Sequence, residues 1–314
     1  MKTYVIGHLK PDTDSVVAAM ALAALYQNTP NCAYQNVEAA LTGPVNGETA
    51  FLLDKFALSA PQILTASDLA SEDRIILVDH NEEAQRLTDL KAEQIVAIVD
   101  HHKANLNFEQ PIDLTFKTWG SSNTIIAEMM KQAGYVPEPK LANLILAPIL
   151  ADTVGFKSAT CTSQDRAMAE WLAAIAQITD LDAFTLEIFR AKSNVSQLSA
   201  KEIVQNDYKI FDFAGHKVMI DQLETVEQDD IISQRKNELL TAMQEVKTAL
   251  QLDYLFVAIT DILKVNTKLL ILDQATAELA VKAFGGEVIA QVLDIGPKLS
   301  RKKEIAPPIE KALH

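Results

Sequence analysis

Cysteine is nearly absent. Cys32 and Cys161 are the two in 314 residues, too few for a disulfide framework in a chain of this size, and their separation matches no structural zinc pattern. This scarcity points to a reducing, cytoplasmic setting. No uninterrupted apolar run reaches the roughly 18 to 20 residues of a membrane-spanning helix. The apolar run at 16–26, VVAAMALAALY, follows Asp12 and Asp14, where a secretory signal needs positive charge, so it reads as a buried helix and neither export nor insertion is expected. Basic residues are also in deficit: 28 Lys and Arg stand against 42 Asp and Glu, for a net charge of -14. Nucleic acid is held chiefly by lysine and arginine that displace counterions, so this balance argues against broad electrostatic binding to nucleic acid. A small anion would need local positive charge, from metal ions or from a cluster such as Arg301, Lys302 and Lys303. Glycine forms no phosphate-cradling loop; Gly285 and Gly286 in AFGGEV read as a turn before a strand. There is no internal repeat and no low-complexity tract.

What the chain does have is a 48% hydrophobic composition, enough for two domains with separate cores. Its first half alternates short Val- and Ile-rich runs with longer helical patterns, predicting an α/β domain with a parallel sheet and helices on both faces. Strands are expected at 3–6, 74–78 and 94–99, and helices at 14–26, 121–132, 139–150, 164–176 and 181–189. The polar stretch AKSNVSQLS marks a linker at 191–198 between domains at 1–190 and 199–314. The second domain reads as smaller and mixed α/β. It has a helix, strands near 209–213 and 217–221, a charge-dense helix at 227–250, and strands at 254–259 and 269–272.

Four of the six histidines keep close company with aspartate: His8 in GHLKPDTDS, His80 in VDHN, and His101 and His102 in VDHHK. Each cluster follows an expected strand, and open α/β sheets bind ligands at the carboxyl ends of their strands. Asp152, at the end of an apolar helix, would alone read as a helix-terminal or capping aspartate. With His8, Asp12, Asp14, Asp79 and His101 it completes a set of two imidazoles and four carboxylates. Such a thiolate-free set suits Mn²⁺, Co²⁺ or Mg²⁺. Four carboxylates together repel one another without cations, which favours two ions over one, and two adjacent ions can share a hydroxide nucleophile for in-line displacement at phosphorus. His80 reads as a group orienting Asp79 by hydrogen bond in preference to a ligand, whereas His216 and His314 read as structural or solvated. A short basic run such as SRKK is ordinarily a solvated surface, but its forked arginine and compact lysine charges also match phosphate oxygens.

These motifs resemble those of the family II, manganese-dependent inorganic pyrophosphatases, a branch of the DHH phosphoesterase superfamily. The resemblance covers nearly the whole chain: GHLKPDTDS, GPVNGETAFLLDKF at 43–56, VDHN, VDHHK, ADTVGFKSATCT at 151–162, AKSNVS, and SRKK at 300–303. The DHH and DTD elements specify phosphoesterase chemistry, and SRKK is the discriminating element. The resemblance implies hydrolysis of pyrophosphate to two phosphates with two Mn²⁺ per subunit and Mg²⁺ accompanying the substrate. It implies that His8 and Asp12 hold one ion, Asp14 and His101 the other, and Asp79 and Asp152 both. His102 would stand beside the substrate, with Arg301, Lys302 and Lys209 on phosphate oxygens. A DHHA2-like second domain that closes over the site and a cytoplasmic homodimer are further implications.

Two departures bear on loop geometry: Pro297 and Lys298 in DIGPKLSRKK, and TVGFKSAT after Asp152. No long insertion follows VDHHK, so the regulatory nucleotide-binding modules of some relatives are not expected. The rival reading is a DHH-type exopolyphosphatase or short-oligonucleotide phosphodiesterase. Its glycine-rich element ending in histidine has no counterpart here, since FGGEV ends without one.

Overall fold

The computed structural model describes residues 1–193, 195 and 198–314. The AKSNVS motif and the expected linker fall partly outside the described residues, at positions 194, 196 and 197. The chain divides into two compact units, Met1–Ala191 and Lys192–His314.

In the first unit β1 (Thr3–Ile6), β2 (Val37–Leu41), β3 (Gln62–Ile63), β4 (Arg74–Val78), β5 (Ile95–Asp100) and β6 (Asp113–Phe116) form one sheet in the order β3-β2-β1-β4-β5-β6. Every pairing is parallel. The central strands are buried on both faces, which explains their continuous Val and Ile. On one face Val5, Ile76, Val78, Ala97 and Val99 meet a core supplied by helices α1 (Thr13–Gln27), α2 (Gly47–Lys55), α3 (Ser122–Gln132), α4 (Pro139–Asp152), α5 (Ser163–Ala176) and α6 (Leu181–Lys192). α1 is apolar nearly all round because it lies inside that layer. On the other face Tyr4, Ile6, Ile75, Leu77 and Ile98 pack against Leu64, Leu87, Leu90 and Phe108. Single-turn 3₁₀ helices at Ala66–Asp68, Glu83–Gln85 and Ala92–Gln94 lie in the connections around β4 and β5.

The second unit carries α7 (Ala200–Val204), β7 (Tyr208–Phe213), β8 (His216–Thr225), α8 (Gln228–Ala249), β9 (Tyr254–Asp261), β10 (Asn266–Leu270), α9 (Gln274–Phe284), β11 (Val292–Gly296) and α10 (Ala306–Leu313). Its sheet runs β11-β10-β9-β8-β7; β8 and β9 are parallel and the other pairs antiparallel. The proline-containing tail is itself helical: Pro307 and Pro308 sit in the first turn of α10, where a missing N–H costs nothing. Among the described residues no helix is long and apolar enough to cross a membrane.

Candidate metal centre

Three neighbouring strands, β1, β4 and β5, deliver the histidine–aspartate clusters to one end of the first sheet. β1 leads through Gly7 to His8, and the chain turns into α1, whose N-cap is Asp12 and whose second residue is Asp14. Gly7 permits that turn: a Cβ there would lie 2.7 Å from the Cβ of Ser15. Asp79 follows β4 directly with φ 61°, a left-handed conformation that aspartate and asparagine tolerate better than most residues. His101 and His102 follow β5, and Asp152 is the last residue of α4. Asp12, Asp14, Asp79, His101, His102 and Asp152 line one cavity of about 560 Å³.

Asp79 stands between two imidazoles. His8 Nε2 is 3.6 Å from its Oδ2 and 3.4 Å from Asp12 Oδ1. His101 Nε2 is 3.4 Å from the other Asp79 oxygen, Oδ1, and 3.9 Å from Asp14 Oδ2. Each ring donates its Nδ1–H to a backbone carbonyl, His8 to Leu9 at 2.8 Å and His101 to Trp119 at 2.9 Å. In the neutral imidazole the lone pair is therefore on Nε2, facing carboxylate oxygens that also only accept. Lone pairs converging from both sides suit a cation between them. Ligating histidines commonly anchor their second nitrogen on a carbonyl in this way, so the residues present fit a divalent metal.

The electrostatics agree. Burial, then the charges of Asp14 and Asp12, push the Asp79 carboxyl well above its ordinary range; burial, then Asp14 and Asp79, do the same to Asp152. Asp14 is held by the start of α3. Ser121 Oγ and Asn123 Nδ2 donate to its Oδ1, and the Ser122 amide donates to Oδ2 at 2.8 Å. Ser122 Oγ also donates to Asp79 Oδ1 at 2.9 Å.

His102 differs from His101. Its Nδ1 is 2.9 Å from Asp100 Oδ1, and its backbone amide donates to the same oxygen. Asp100 is fully buried; burial opposes its charge, but hydrogen bonds from His102 and Asn81 outweigh that and lower its pKa to about 2. An ionised acceptor there fixes the proton on His102 Nδ1, so that atom is no ligand, although it lies 3.8 Å from Asp79 Oδ1. His80 requires a correction. Its Nδ1 donates to the Val78 carbonyl at 2.9 Å, and its Nε2 is buried without a partner among the described residues, so it does not orient Asp79 by hydrogen bond. Burial lowers its pKa to about 4, which keeps the ring neutral.

Arg301, Lys302 and Lys209 belong to the second unit. The Arg301 guanidinium donates to the carbonyl of Asp207 and, at 2.9 Å, to its Oδ1. Gln222 fastens the backbone on either side of Ser300, accepting from the Arg301 amide at 3.2 Å and donating to the Leu299 carbonyl at 2.9 Å. Lys302 is exposed, and Lys209, on β7, extends its ammonium to 5.7 Å from the Phe211 ring centre.

The chain matches the model of the DHH family N-terminal domain over residues 2–149 and that of the DHHA2 domain over residues 186–312. It is 38% identical to the manganese-dependent inorganic pyrophosphatase of Methanocaldococcus jannaschii, over 98% of each chain. The chain belongs to the family of manganese-dependent inorganic pyrophosphatases. A second member of that family, from Methanothrix thermoacetophila, is 36% identical over 98% of this chain and 97% of its own. A crystal structure from Methanococcus jannaschii, described as of a family II inorganic pyrophosphatase, aligns over 99% of both chains with a TM-score of 0.61 and 37% identity. An exopolyphosphatase-related protein from Bacteroides fragilis shares the fold alone, at 17% identity and a TM-score of 0.51. Within this pyrophosphatase framework, sequence reasoning left Asp100, Asn81 and residues 121–123 without a role. Asp100 was open to discovery as the first residue of DHH; Ser121, Ser122 and Asn123 resemble an ordinary helix cap and become visible only through their distances to Asp14 and Asp79.

Proposed function

We propose that this chain is a manganese-dependent inorganic pyrophosphatase, hydrolysing pyrophosphate to two phosphates. The observation that carries the reading is Asp79, with one carboxylate oxygen facing His8 and Asp12 and the other facing His101 and Asp14. That arrangement suits two ions joined by one carboxylate. His8 and Asp12 would hold one, Asp14 and His101 the other, with Asp79 shared between them and Asp152 contributing its carboxylate from α4. Divalent ions bound there supply Lewis-acid polarisation of phosphoryl oxygens and make water acidic enough to react near neutral pH.

The chain's own groups do the remaining work. Asp100 keeps the His102 ring oriented with Nδ1 as donor, leaving Nε2 to hold a proton for the leaving phosphate. Arg301, Lys302 and Lys209 offset phosphate charge. Gln222, by fixing the Leu299 and Arg301 backbone, limits how far the arginine can wander. The two free thiols favour a reducing, cytoplasmic setting for this activity. A homodimer through an edge of the first sheet, such as β6 with its exposed Leu114, belongs to the same reading and is tested by sedimentation.

The deciding experiment is phosphate release from pyrophosphate by chelator-stripped protein, with Mn²⁺ restored in magnesium buffer and with tripolyphosphate and a dinucleotide in parallel. Manganese-restored release from pyrophosphate alone is expected. Preference for tripolyphosphate or the dinucleotide overturns the substrate assignment.

A further inference from the structure

Asp165, on α5, lies outside every ligand-bearing motif, yet it is fully buried and no lysine or arginine pairs with it among the ion pairs of the described residues. Among the described residues, every group that hydrogen-bonds to its carboxylate is a neutral donor. The Gly120 amide reaches both oxygens at 3.0 Å, Thr124 Oγ1 donates to Oδ1 at 2.6 Å, and the Thr162 amide and hydroxyl each donate to Oδ2 at 2.7 Å. Thr162 and Asp165 form the capping box that begins α5. A capping carboxylate needs only those two contacts. The other two reach across to a different segment, at residues 120 and 124.

Between and beside those anchor points run the groups that hold three proposed ligands. The Trp119 carbonyl fixes His101; Ser121, Ser122 and Asn123 hold Asp14; and Ser122 also holds Asp79. Gly120 is pressed into the junction: a Cβ there would lie 2.6 Å from Thr153 Cγ2 and 3.1 Å from Asp165 Oδ2. Thr153 itself directly follows Asp152. The same carboxylate thus joins the segment supporting His101, Asp14 and Asp79 to the stretch of chain that follows Asp152.

We propose that Asp165 is a positioning residue for the metal centre, setting manganese affinity by fixing residues 119–123 against α5. The inference rests on the metal-site reading above. Aspartate suits the site because its two oxygens accept from the Gly120 and Thr162 amides, which can only donate, whereas asparagine would set an NH₂ donor against one of them and leave the threonine hydroxyls to turn and accept. Partners standing behind metal ligands commonly contribute about 10- to 100-fold in metal affinity.

The test is Mn²⁺ titration of the full chain by calorimetry and by electron paramagnetic resonance of free Mn²⁺. Asp165→Asn is expected to bind Mn²⁺ about 10- to 100-fold more weakly, with phosphate release recovering as Mn²⁺ is raised. Thr124→Val, which removes one of the four donors, gives a smaller loss and decides the matter if Asp165→Asn fails to fold. Leu172→Ala, in the core on the same helix, lowers stability while leaving Mn²⁺ affinity intact. Unchanged affinity in Asp165→Asn and Thr124→Val overturns the proposal, as does an equal loss in Leu172→Ala. Asp14→Asn separates the two ideas, because if it too binds Mn²⁺ normally the metal-site reading is what has failed.

Discussion

Replacing Asp79 by asparagine should stabilise the protein without metal and remove its stabilisation by manganese. The backbone accepts the change, since asparagine shares aspartate's tolerance of the left-handed conformation seen at φ 61°. The expected gain follows from the crowding of carboxylates. Asp79 Oδ1 and Asp14 Oδ2 lie 3.4 and 3.9 Å from the same His101 nitrogen. Their separation is therefore below about 8 Å, where two unit charges repel by about 2 kcal/mol at an effective dielectric of about 20. The sign with pH is fixed by linkage. A carboxyl whose pKa is raised on folding contributes its full stability below the unfolded value of about 3.9 and loses it as pH rises through the folded value. As pH rises above the unfolded value the metal-free wild type therefore loses stability, and the variant lacks the part of that loss due to residue 79.

Both tryptophans, Trp119 and Trp171, lie in the first unit, so selectively excited tryptophan fluorescence reports that unit's unfolding. For a unit of this size, about 2 kcal/mol corresponds to roughly 4 to 8 °C in melting temperature. Mn²⁺ at a thousandfold excess over its dissociation constant adds about 4 kcal/mol to the wild type and little to the variant. A chelated variant that melts below chelated wild type, or one that Mn²⁺ still stabilises fully, would refute the electrostatic account.

Asp221 is pushed up to about 7 by burial, and its Oδ2 has no hydrogen-bond partner among the described residues. Stability of the second unit should fall between pH 4 and 7 by up to about 1.4 kcal/mol per unit, and Asp221→Asn should flatten that slope in urea titrations followed by circular dichroism; parallel curves would contradict it. Gly120→Ala forces a carbon to 2.6 Å from Thr153 Cγ2, so a loss of about 1 to 3 kcal/mol is expected by fluorescence-detected unfolding. Gln222→Ala frees the half-buried Leu299 and Arg301 backbone groups, a cost of about 0.5 to 1.5 kcal/mol for each hydrogen bond lost. Steady-state kinetics should show it chiefly as a raised KM for pyrophosphate; an unchanged KM would detach Arg301 from substrate binding.

The buried centre of the first sheet was legible because parallel strands covered on both faces read as unbroken Val and Ile runs: the expected strands at 3–6 and 74–78 coincide with β1 and β4. β3 and β6 lie at the edges, are short, and expose much of their surface, so they carry no such signal. The histidine–aspartate clusters stood out for the opposite reason, as polar residues immediately after apolar runs. Their supports did not. Ser121 caps a helix and Asp165 completes a capping box, ordinary local duties that conceal contacts made with residues far away in sequence. The misreading of His80 has the same origin, since neighbouring positions in VDHN do not reveal which way a ring turns after a strand.

The sheet order also constrains how the protein is born. The proposed ligands and their support span His8 to Asp165, and β1 lies between strands that emerge later, β2 and β4. At about 5 to 20 residues per second, roughly 10 to 30 s pass between synthesis of the first and last of these groups. During that interval the nascent chain has carboxylates and imidazoles but no assembled place for an ion. A ribosome-bound fragment ending before Asp152 lacks one proposed ligand and the whole of α5, so it is expected to hold manganese more weakly than the finished chain.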